Sequence, residues 1–160
     1  MLENVQVKKT SNPDNGYESE DILFMDTLYH IDDVEKTMDM LASHLEDIGD
    51  YHDYTKLEYF DDFAKDCLER LTTPEFKKRA WYNIHTTQER HHINASIPEN
   101  VDLFDILEMI VDCVIAGKTR SGSVNKEFLI IPDDVLKDAY WNTVDKIENH
   151  IIVMDEEKGD

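Results

Sequence analysis

Apolar residues in this chain recur every three or four positions, which is the spacing of residues on one face of an α-helix. The longest such stripe consists of Phe24, Leu28, Ile31, Val34, Met38, Leu41, Leu45 and Ile48. Gly49 is the expected end of this first helix, because glycine is common just beyond a helix C-terminus. Two further segments repeat the pattern, one at about residues 55–71 and one that begins at about Thr73 and whose end the pattern leaves open. The periodicity therefore predicts a helical protein.

The second half of the chain contains the pattern of two more helices. Residues 101–116 are apolar around most of the helix circumference, so this helix is expected to be central and to end at Gly117. Residues 128–131 are a candidate extended segment, and Pro132 opens a last helix that is expected to run to about Val153. We therefore predict an all-α, single-domain bundle of about five helices.

The bundle is expected to occupy residues 22–153, because both ends of the chain are polar. Residues 1–21 show no sustained periodicity and contain a turn-rich stretch, so they are predicted to form a flexible N-terminal arm. Residues 154–160 are predicted to be an acidic tail. A chain of 160 residues, 41% of them apolar, is long enough to bury one core.

The composition argues against several classes of protein. The chain has 16 lysine and arginine residues against 36 aspartate and glutamate residues, and its net charge of −20 repels nucleic acids and anionic membranes. No direct nucleic-acid binding is therefore expected. The N-terminus lacks an apolar signal core, and no stretch approaches the roughly 18 apolar residues that crossing a bilayer needs, so we expect a cytoplasmic protein. Cys67 and Cys113 lack C-x-x-C spacing and are expected in the core, not in a disulfide or a zinc site.

Histidines and aspartates form the candidate site. The seven histidines are His30, His44, His52, His85, His91, His92 and His150. His52 is followed directly by Asp53 at the junction of two predicted helices, where an imidazole and a carboxylate can point at the same ion. His30 lies one helix length earlier. The spacing alone does not decide whether the fold brings His30 back to His52.

A second group of histidines lies at the end of the third predicted helix. His85 and His92 are seven residues apart, about two helical turns, and they share a face if the helix continues that far. His91 then points elsewhere. If the chain unwinds after Glu89, either His91 or His92 can turn inward, so both remain candidates.

Asp112 is the acidic residue that most suggests a ligand. It lies within the most apolar predicted helix, where an unpaired carboxylate would cost several kcal/mol. A bound cation would compensate this charge, and so would a buried salt bridge or a helix cap. Imidazoles combined with carboxylates suit a divalent transition metal, namely Mn, Fe, Ni, Zn or Co, better than they suit Mg²⁺ or Ca²⁺.

The order His30, His52-Asp53, Asp112, with Lys56 completing the sequence His-Asp-Tyr-Thr-Lys, resembles the HD superfamily of metal-dependent phosphohydrolases. Residues 24–120 are also similar to an uncharacterised family of small HD-like phage and bacterial proteins. The resemblance implies an HD-like helical fold with His30, His52, Asp53 and Asp112 as ligands of a first metal ion. It implies His85 and either His91 or His92 as ligands of a second.

The resemblance also implies a function, the hydrolysis of a nucleotide or another small phosphoester. Asp53 and Lys56 would then be the catalytic residues. The segment 117–126 contains three cations and no acid, and its Lys118 and Arg120 are candidate phosphate ligands. A solvated turn is the alternative interpretation of this segment.

Two other interpretations remain open at the level of sequence. The charge of −20 and the small size suit an acidic inhibitor of the phage type that binds a host protein, for example by imitating DNA, with the HD-like site degenerate or unused. A helical bundle with an ion-pair network and no catalysis is the third interpretation. The sequence leaves enzymatic activity, substrate and metal identity undecided.

Overall fold

The computed structural model describes residues 2–11, 15–69 and 73–154, and these residues are mostly helical. In chain order the elements are β1 (Val5–Lys8), α1 (Glu20–Tyr51), α2 (Tyr54–Glu58), α3 (Phe60–Leu68), α4 (Thr73–Phe76), α5 (Ala80–Gln88), α6 (Leu103–Ser121), a 3₁₀ helix (Lys126–Leu129), α7 (Asp133–Glu148) and β2 (Ile151–Met154). The predicted helical character is confirmed, with a small sheet added. Backbone contacts divide the chain into two units, where the sequence predicted one.

The first unit, Met1–Asp47 with Asp145–Asp160, contains a parallel two-stranded sheet that the sequence analysis missed. Strand β1 pairs with β2 in the register Val5 to Ile151 through Lys8 to Met154. The predicted flexible arm therefore contributes a strand, and α1 begins within the range assigned to that arm. The Ile-Ile-Val stretch of β2 is rich in β-branched residues, which favour strands over helices. The rest of the predicted acidic tail, residues 155–160, lies outside the described residues.

Polar groups take part in the contact between α1 and β1. The Lys8 backbone N–H donates to Asp33 Oδ2 at 3.1 Å, and the Lys8 ammonium lies 3.8 Å from the centre of the Tyr29 ring. Asp33 and Met40 are the buried residues of α1. The apolar stripe that the sequence analysis assigned to this helix is instead largely exposed.

The second unit, Ile48–Val144, contains the hydrophobic core. Its buried members are Ile93, Val101, Ile106, Met109, Val135 and Ala139. Helix α6 supplies two of them, but Val111 and Ile115 of the same helix are exposed, so α6 is only partly central. Among the described residues, no helix is both long and apolar enough to cross a membrane.

The N-terminus of α6 is held by a capping box. The Asp102 carboxylate accepts from the backbone N–H groups of Phe104 and Asp105, and the Asp105 carboxylate accepts from the Asp102 N–H. Arg90 donates two hydrogen bonds of 2.7 Å to the Asp105 carboxylate. The segment after α5 is thereby tied to the start of α6.

Two predicted helix ends are wrong. Helix α1 continues through Gly49 to Tyr51, and α6 continues through Gly117 to Ser121. The residue that ends α6 is Gly122, whose φ of 75° is the left-handed conformation that favours glycine. Gly117 instead allows the backbone of Ser123 to pack closely against α6, because a Cβ there would lie 2.7 Å from the Ser123 carbonyl oxygen.

Other predicted elements are shorter than expected. The second helix is interrupted at Tyr59, and Arg79, which precedes α5, has an extended conformation that separates α4 from α5. The last helix ends at Glu148, and the chain continues into β2. The segment predicted to be extended begins inside the 3₁₀ helix. Cys67 is exposed rather than buried in the core.

Candidate metal centre

Asp53 lies in the turn between α1 and α2. Its backbone has φ 59° and ψ 20°, and it is the one non-glycine residue with positive φ among those described. Aspartate tolerates this left-handed conformation better than most residues do. Such strained conformations concentrate at functional sites, where the surrounding structure maintains them. The turn directs the carboxylate of Asp53 into a cluster of donor atoms within the second unit.

The first group of donor atoms consists of His52, Asp53 and Asp112. His52 Nε2 lies 3.5 Å from Asp53 Oδ2 and 3.7 Å from Asp112 Oδ1. Two donor atoms that bind one ion at about 2.0–2.2 Å lie roughly 3–4 Å apart. These three side chains are therefore positioned to hold a metal ion.

The second group lies around the other carboxylate oxygen of Asp53. Asp53 Oδ1 is 3.4 Å from His85 Nε2 and 3.7 Å from His91 Nε2, and His85 Nε2 is 2.7 Å from His92 Nε2. Asp53, His85 and His92 form one candidate metal-holding group. The choice between His91 and His92 that the sequence left open does not arise, because both imidazoles lie in the cluster.

Three buried atoms of the cluster have no hydrogen-bond partner among the described residues, namely Asp53 Oδ1 and both ring nitrogens of His91, although His91 Nδ1 lies 2.9 Å from Glu108 Oε1. Asp53 Oδ1 and His91 Nε2 lie at the centre of the cluster, 3.7 Å apart. Leaving a buried donor or acceptor unpaired costs about 1–3 kcal/mol, and more for a charged group. A cation bound between these atoms would remove that cost, so the residues present fit a divalent metal ion.

Glu108 is a residue of the site that the sequence analysis missed. Its Oε1 accepts a hydrogen bond of 2.8 Å from His52 Nδ1 and lies 2.9 Å from His91 Nδ1. A proton held on Nδ1 leaves the Nε2 lone pair free, which is how carboxylates commonly orient metal-binding histidines. The position of Glu108 four residues before Asp112, on the same helix face, is the sequence signal that would have identified it.

Thr55 and Glu89 hold His85 in a similar way. The Thr55 hydroxyl donates to Glu89 Oε1 at 2.6 Å, and its oxygen lies 2.6 Å from His85 Nδ1. A hydroxyl has a single proton to donate, so the Thr55 oxygen must accept the proton of His85 Nδ1. This assignment leaves His85 Nε2 unprotonated, 3.4 Å from Asp53 Oδ1 and able to accept a proton from His92 Nε2 at 2.7 Å.

The electrostatics favour neutral imidazoles in the second group. Burial, together with the neighbouring histidines, lowers the pKa of His85 to about 3 and that of His92 to about 4. Both rings are therefore neutral at pH 7, the form that binds metals. The carboxylates of Asp112 and Glu108 raise the pKa of His52 to about 10.

The two acids beside His52 are held in their ionised form. His52 lowers the pKa of Asp112 to about 2. Burial acts to raise the pKa of Glu108, but the contacts with His52 and His91 outweigh burial and lower it to about 2. Both carboxylates can therefore act as acceptors or ligands at neutral pH.

Comparison with known proteins identified no relative. No family model matches the chain, and neither the curated proteins nor the solved structures contain a match. The chemistry of the site is therefore inferred from its own donor atoms. Those atoms are imidazole nitrogens and carboxylate oxygens, arranged in three overlapping groups in which all donor atoms lie within 4.8 Å of one another.

Of the other predicted site residues, Lys56 and Asp112 lie in the cluster, and His30 lies in the first unit. Lys56 Nζ contacts Asp53 Oδ2. His30 belongs to the first unit, where it lines a cavity of about 430 Å³, and its role as a metal ligand stays a prediction. Asp112 is half-exposed, although the sequence analysis expected it to be buried. His52 pairs with the charge of Asp112, and this ion pair compensates the cost of a carboxylate in an apolar helix.

The two cations after Gly117 lie on the last turns of α6 instead of in a loop. Lys118 and Arg120 are both exposed. Arg120 lines a cavity of about 340 Å³ together with Asp112, whereas Lys118 is not among the residues that line it. Of the two predicted phosphate ligands, Arg120 is thus the one placed at a cavity of the site.

Proposed function

We propose that the second unit is a metal-dependent phosphohydrolase of the HD type that acts on a nucleotide or another small phosphoester. The observation that carries the proposal is the position of Asp53. One oxygen of its carboxylate faces His52 and the other faces His85. This arrangement suits a carboxylate shared by two metal ions.

The donor set defines which residues would hold the metal. His52, Asp53 and Asp112 would bind one ion, and Asp53 would also bind a second ion with His85 and His92 or His91. Imidazole and carboxylate donors favour Mn, Fe, Co, Ni or Zn in the divalent state. Such an ion supplies a bound water with a pKa near 7 and neutralises the charge of phosphoryl oxygens.

A cavity of about 660 Å³ provides room for a substrate next to these donors. Its wall includes His91, His92 and Asp112 of the cluster. The other residues that line it include two aromatic rings, two side-chain amides and one cation, namely Tyr82, Phe128, Asn83, Asn94 and Lys77. Cavities of this size hold small organic ligands. Aromatic rings and amides are suited to stack on a base and to hydrogen-bond with its edge.

Cationic side chains near the cluster support an anionic substrate. Lys56 supplies a positive charge beside Asp53, and Lys77 supplies another on the cavity wall. Arg120 lines the smaller cavity that shares Asp112 with the larger one. In a chain with a net charge of −20, such local cations are needed to attract a phosphate group.

The proposal is tested first by metal content. Untagged protein is purified and analysed for metals beside a His52→Ala, Asp53→Ala double variant and an Asp50→Ala control, in which an exposed acid three residues away is removed. We expect Mn, Fe, Co, Ni or Zn near one or two ions per chain in the native protein and the control. The double variant is expected to contain almost none.

Activity is tested next, by phosphate release from nucleoside monophosphates and from a synthetic aryl phosphate with each metal added. Release by the native protein that is lost in the double variant supports the proposal. Absence of metal from the native protein, even after reconstitution, contradicts it. That result would favour the acidic, host-directed inhibitor as the function of this chain.

A further inference from the structure

The two candidate metal-holding groups share Asp53 and differ in their other donors. The carboxylate-rich site is formed by His52, Asp53 and Asp112, and the histidine-rich site is formed by Asp53, His85 and His92. The imidazole of His91 also faces the histidine-rich site, because its Nε2 lies 3.7 Å from Asp53 Oδ1. One site therefore offers mainly carboxylate oxygens to an ion, and the other offers mainly imidazole nitrogens.

The two carboxylate oxygens of Asp53 have different neighbours. Oδ2, which lies 3.5 Å from His52 Nε2, also accepts a hydrogen bond from the Lys56 ammonium. Oδ1, which lies 3.4 Å from His85 Nε2, is buried and has no hydrogen-bond partner among the described residues. A cation at Oδ1 supplies a missing partner, whereas a cation at Oδ2 is repelled by the lysine charge already in contact with that oxygen. This difference favours the histidine-rich site for the first ion.

The histidine-rich site is also the more enclosed of the two. The side chains of His85 and His91 are 3% and 1% exposed, and His92 is half-buried, whereas the side chain of His52 is 29% exposed. Thr55 accepts the Nδ1 proton of His85, so this imidazole is already oriented before an ion binds. Attraction between an ion and its ligands is stronger where water is excluded, so an ion in this site is held more tightly.

Donor type separates the ions that the two sites prefer. Imidazole nitrogen suits Zn, Fe and Ni, whereas carboxylate oxygen and water suit Mn. Asp112 borders both cavities, of about 660 and about 340 Å³, so an ion beside it is accessible to water. We propose that the centre holds two unequal ions, a tightly retained Zn²⁺, Fe²⁺ or Ni²⁺ in the histidine-rich site and an exchangeable Mn²⁺ in the carboxylate-rich site. This inference rests on the metal-binding part of the proposed function and not on hydrolysis.

Zinc binding is measured first. The full chain is stripped with a chelator, given one equivalent of Zn²⁺ and titrated with a dye that competes for the ion. His92→Ala removes an imidazole ligand and is expected to weaken Zn²⁺ binding at least about 100-fold, because replacing even a residue that only orients a ligand costs roughly 10- to 100-fold. Asp112→Asn is expected to leave Zn²⁺ binding nearly unchanged. The matched controls are His150→Ala, a histidine of the first unit, and Asp138→Asn, an exposed acid of α7.

Manganese binding is measured next, on the chain that already holds one Zn²⁺, from the electron paramagnetic resonance signal of free Mn²⁺. Zn²⁺ binds most sites more tightly than Mn²⁺, so the variants and not the two affinities are decisive. Asp112→Asn is expected to weaken Mn²⁺ binding at least about 10-fold. Lys56→Met removes the ammonium beside Asp53 Oδ2 and is expected to tighten Mn²⁺ binding about 10-fold, with a smaller effect on Zn²⁺.

Circular dichroism establishes that each variant is folded, and His92→Gln replaces His92→Ala if the latter is not. Equal weakening of Zn²⁺ binding by His92→Ala and Asp112→Asn would overturn the inference, because one ion would then use both sets of ligands. So would Mn²⁺ binding that is the same with and without the Lys56 ammonium.

The result is separable from the outcome for the hydrolase. Two unequal ions without phosphate release would refute the hydrolase and leave this inference intact. Phosphate release by a chain whose two ions respond equally to the variants would do the reverse. Absence of all metal would overturn both.

Discussion

At the scale of single residues, the site depends on which ring nitrogen of each imidazole carries a proton. Glu108 lies beside Nδ1 of both His52 and His91, and Thr55 accepts the Nδ1 proton of His85. The contact with Thr55 leaves the Nε2 lone pair of His85 on the side of Asp53, and His52, whose pKa is raised to about 10, would release its Nε2 proton on binding a metal ion. The left-handed backbone of Asp53 then places one carboxylate between the two groups of imidazoles. A metal site of this kind requires the hydrogen-bond acceptors that orient its imidazoles as well as the metal ligands themselves.

We expect Glu108→Gln to weaken metal binding roughly 10- to 100-fold while the protein stays folded. The amide has the same shape but lacks the charge that accepts the Nδ1 proton of His52 and that lies 2.9 Å from His91 Nδ1. The measurement is a competition titration against a chelating dye, with helicity recorded alongside. Glu99→Gln, the same change at an exposed glutamate, is the control. Equal affinity in the two variants would show that Glu108 does not orient the histidines.

At the scale of elements, the site is assembled from a turn and two helices. The turn between α1 and α2 carries His52 and Asp53, α5 with its following segment carries the other histidines, and α6 carries Glu108 and Asp112. The link between the last two is Arg90, which donates to Asp105 in the first turn of α6 and to the Asn100 carbonyl oxygen. Because Arg90 directly precedes His91, this link sets the position of the histidine pair.

Replacing Arg90 is therefore expected to affect both stability and metal binding. Arg90→Ala leaves the buried carboxylate of Asp105 without its charged partner, and we expect the free energy of unfolding to fall by roughly 2 kcal/mol. Arg90→Lys retains the charge but not the two-bond geometry, so an intermediate loss is expected. Urea denaturation measures both variants against Lys137→Ala, which removes an exposed cation from α7. An unchanged unfolding free energy in Arg90→Ala would show that the contact of Arg90 with Asp105 does not stabilise the fold.

At the scale of the whole molecule, the histidine cluster makes stability depend on pH. The pKa values of His85 and His92 are lowered in the folded protein to about 3 and about 4. As the pH falls below about 6.5, these rings take up protons in the unfolded chain but not in the folded one, so the unfolded state is favoured. The raised pKa of His52 has the opposite effect and stabilises the fold as the pH falls. Almost all of this stabilisation is already present at pH 6.5, so little is gained between pH 6.5 and pH 5.

We therefore expect the metal-free protein to lose roughly 2 kcal/mol of unfolding free energy between about pH 6.5 and pH 5. Urea denaturation in the presence of a chelator, repeated across this range, measures the loss. His92→Gln removes one of the two neutral rings and should make the pH dependence shallower. Stability that stays constant to pH 5 would mean that the two rings take up protons in the folded chain as readily as in the unfolded one.

The sequence by itself determined the helical character of the chain, its charge and the residue types of the site. Helical periodicity depends on neighbours three or four residues apart, so it can be recognised without the fold. His52, Asp53, His85, His91, His92 and Asp112 were recognisable because few side chains can bind a metal, and the structure brings these six together. The grouping of His30 with them was an expectation from resemblance to a family, and it remains one.

Only the tertiary structure decided how these residues are used. His52 and Glu108 are separated by 56 residues, and Thr55 and Glu89 by 34, so no local pattern reveals either contact. The pairing of β1 with β2 joins the two ends of the chain, and a four-residue strand has too short a pattern to predict such a partner. The ends of α1 and α6 also differed from the local signals of Gly49 and Gly117. Gly117 permits a close approach to the Ser123 carbonyl oxygen, whereas Gly49 has open space around it and α1 continues past it. Contacts between distant residues depend on the path of the whole backbone, and a local sequence pattern does not contain that path.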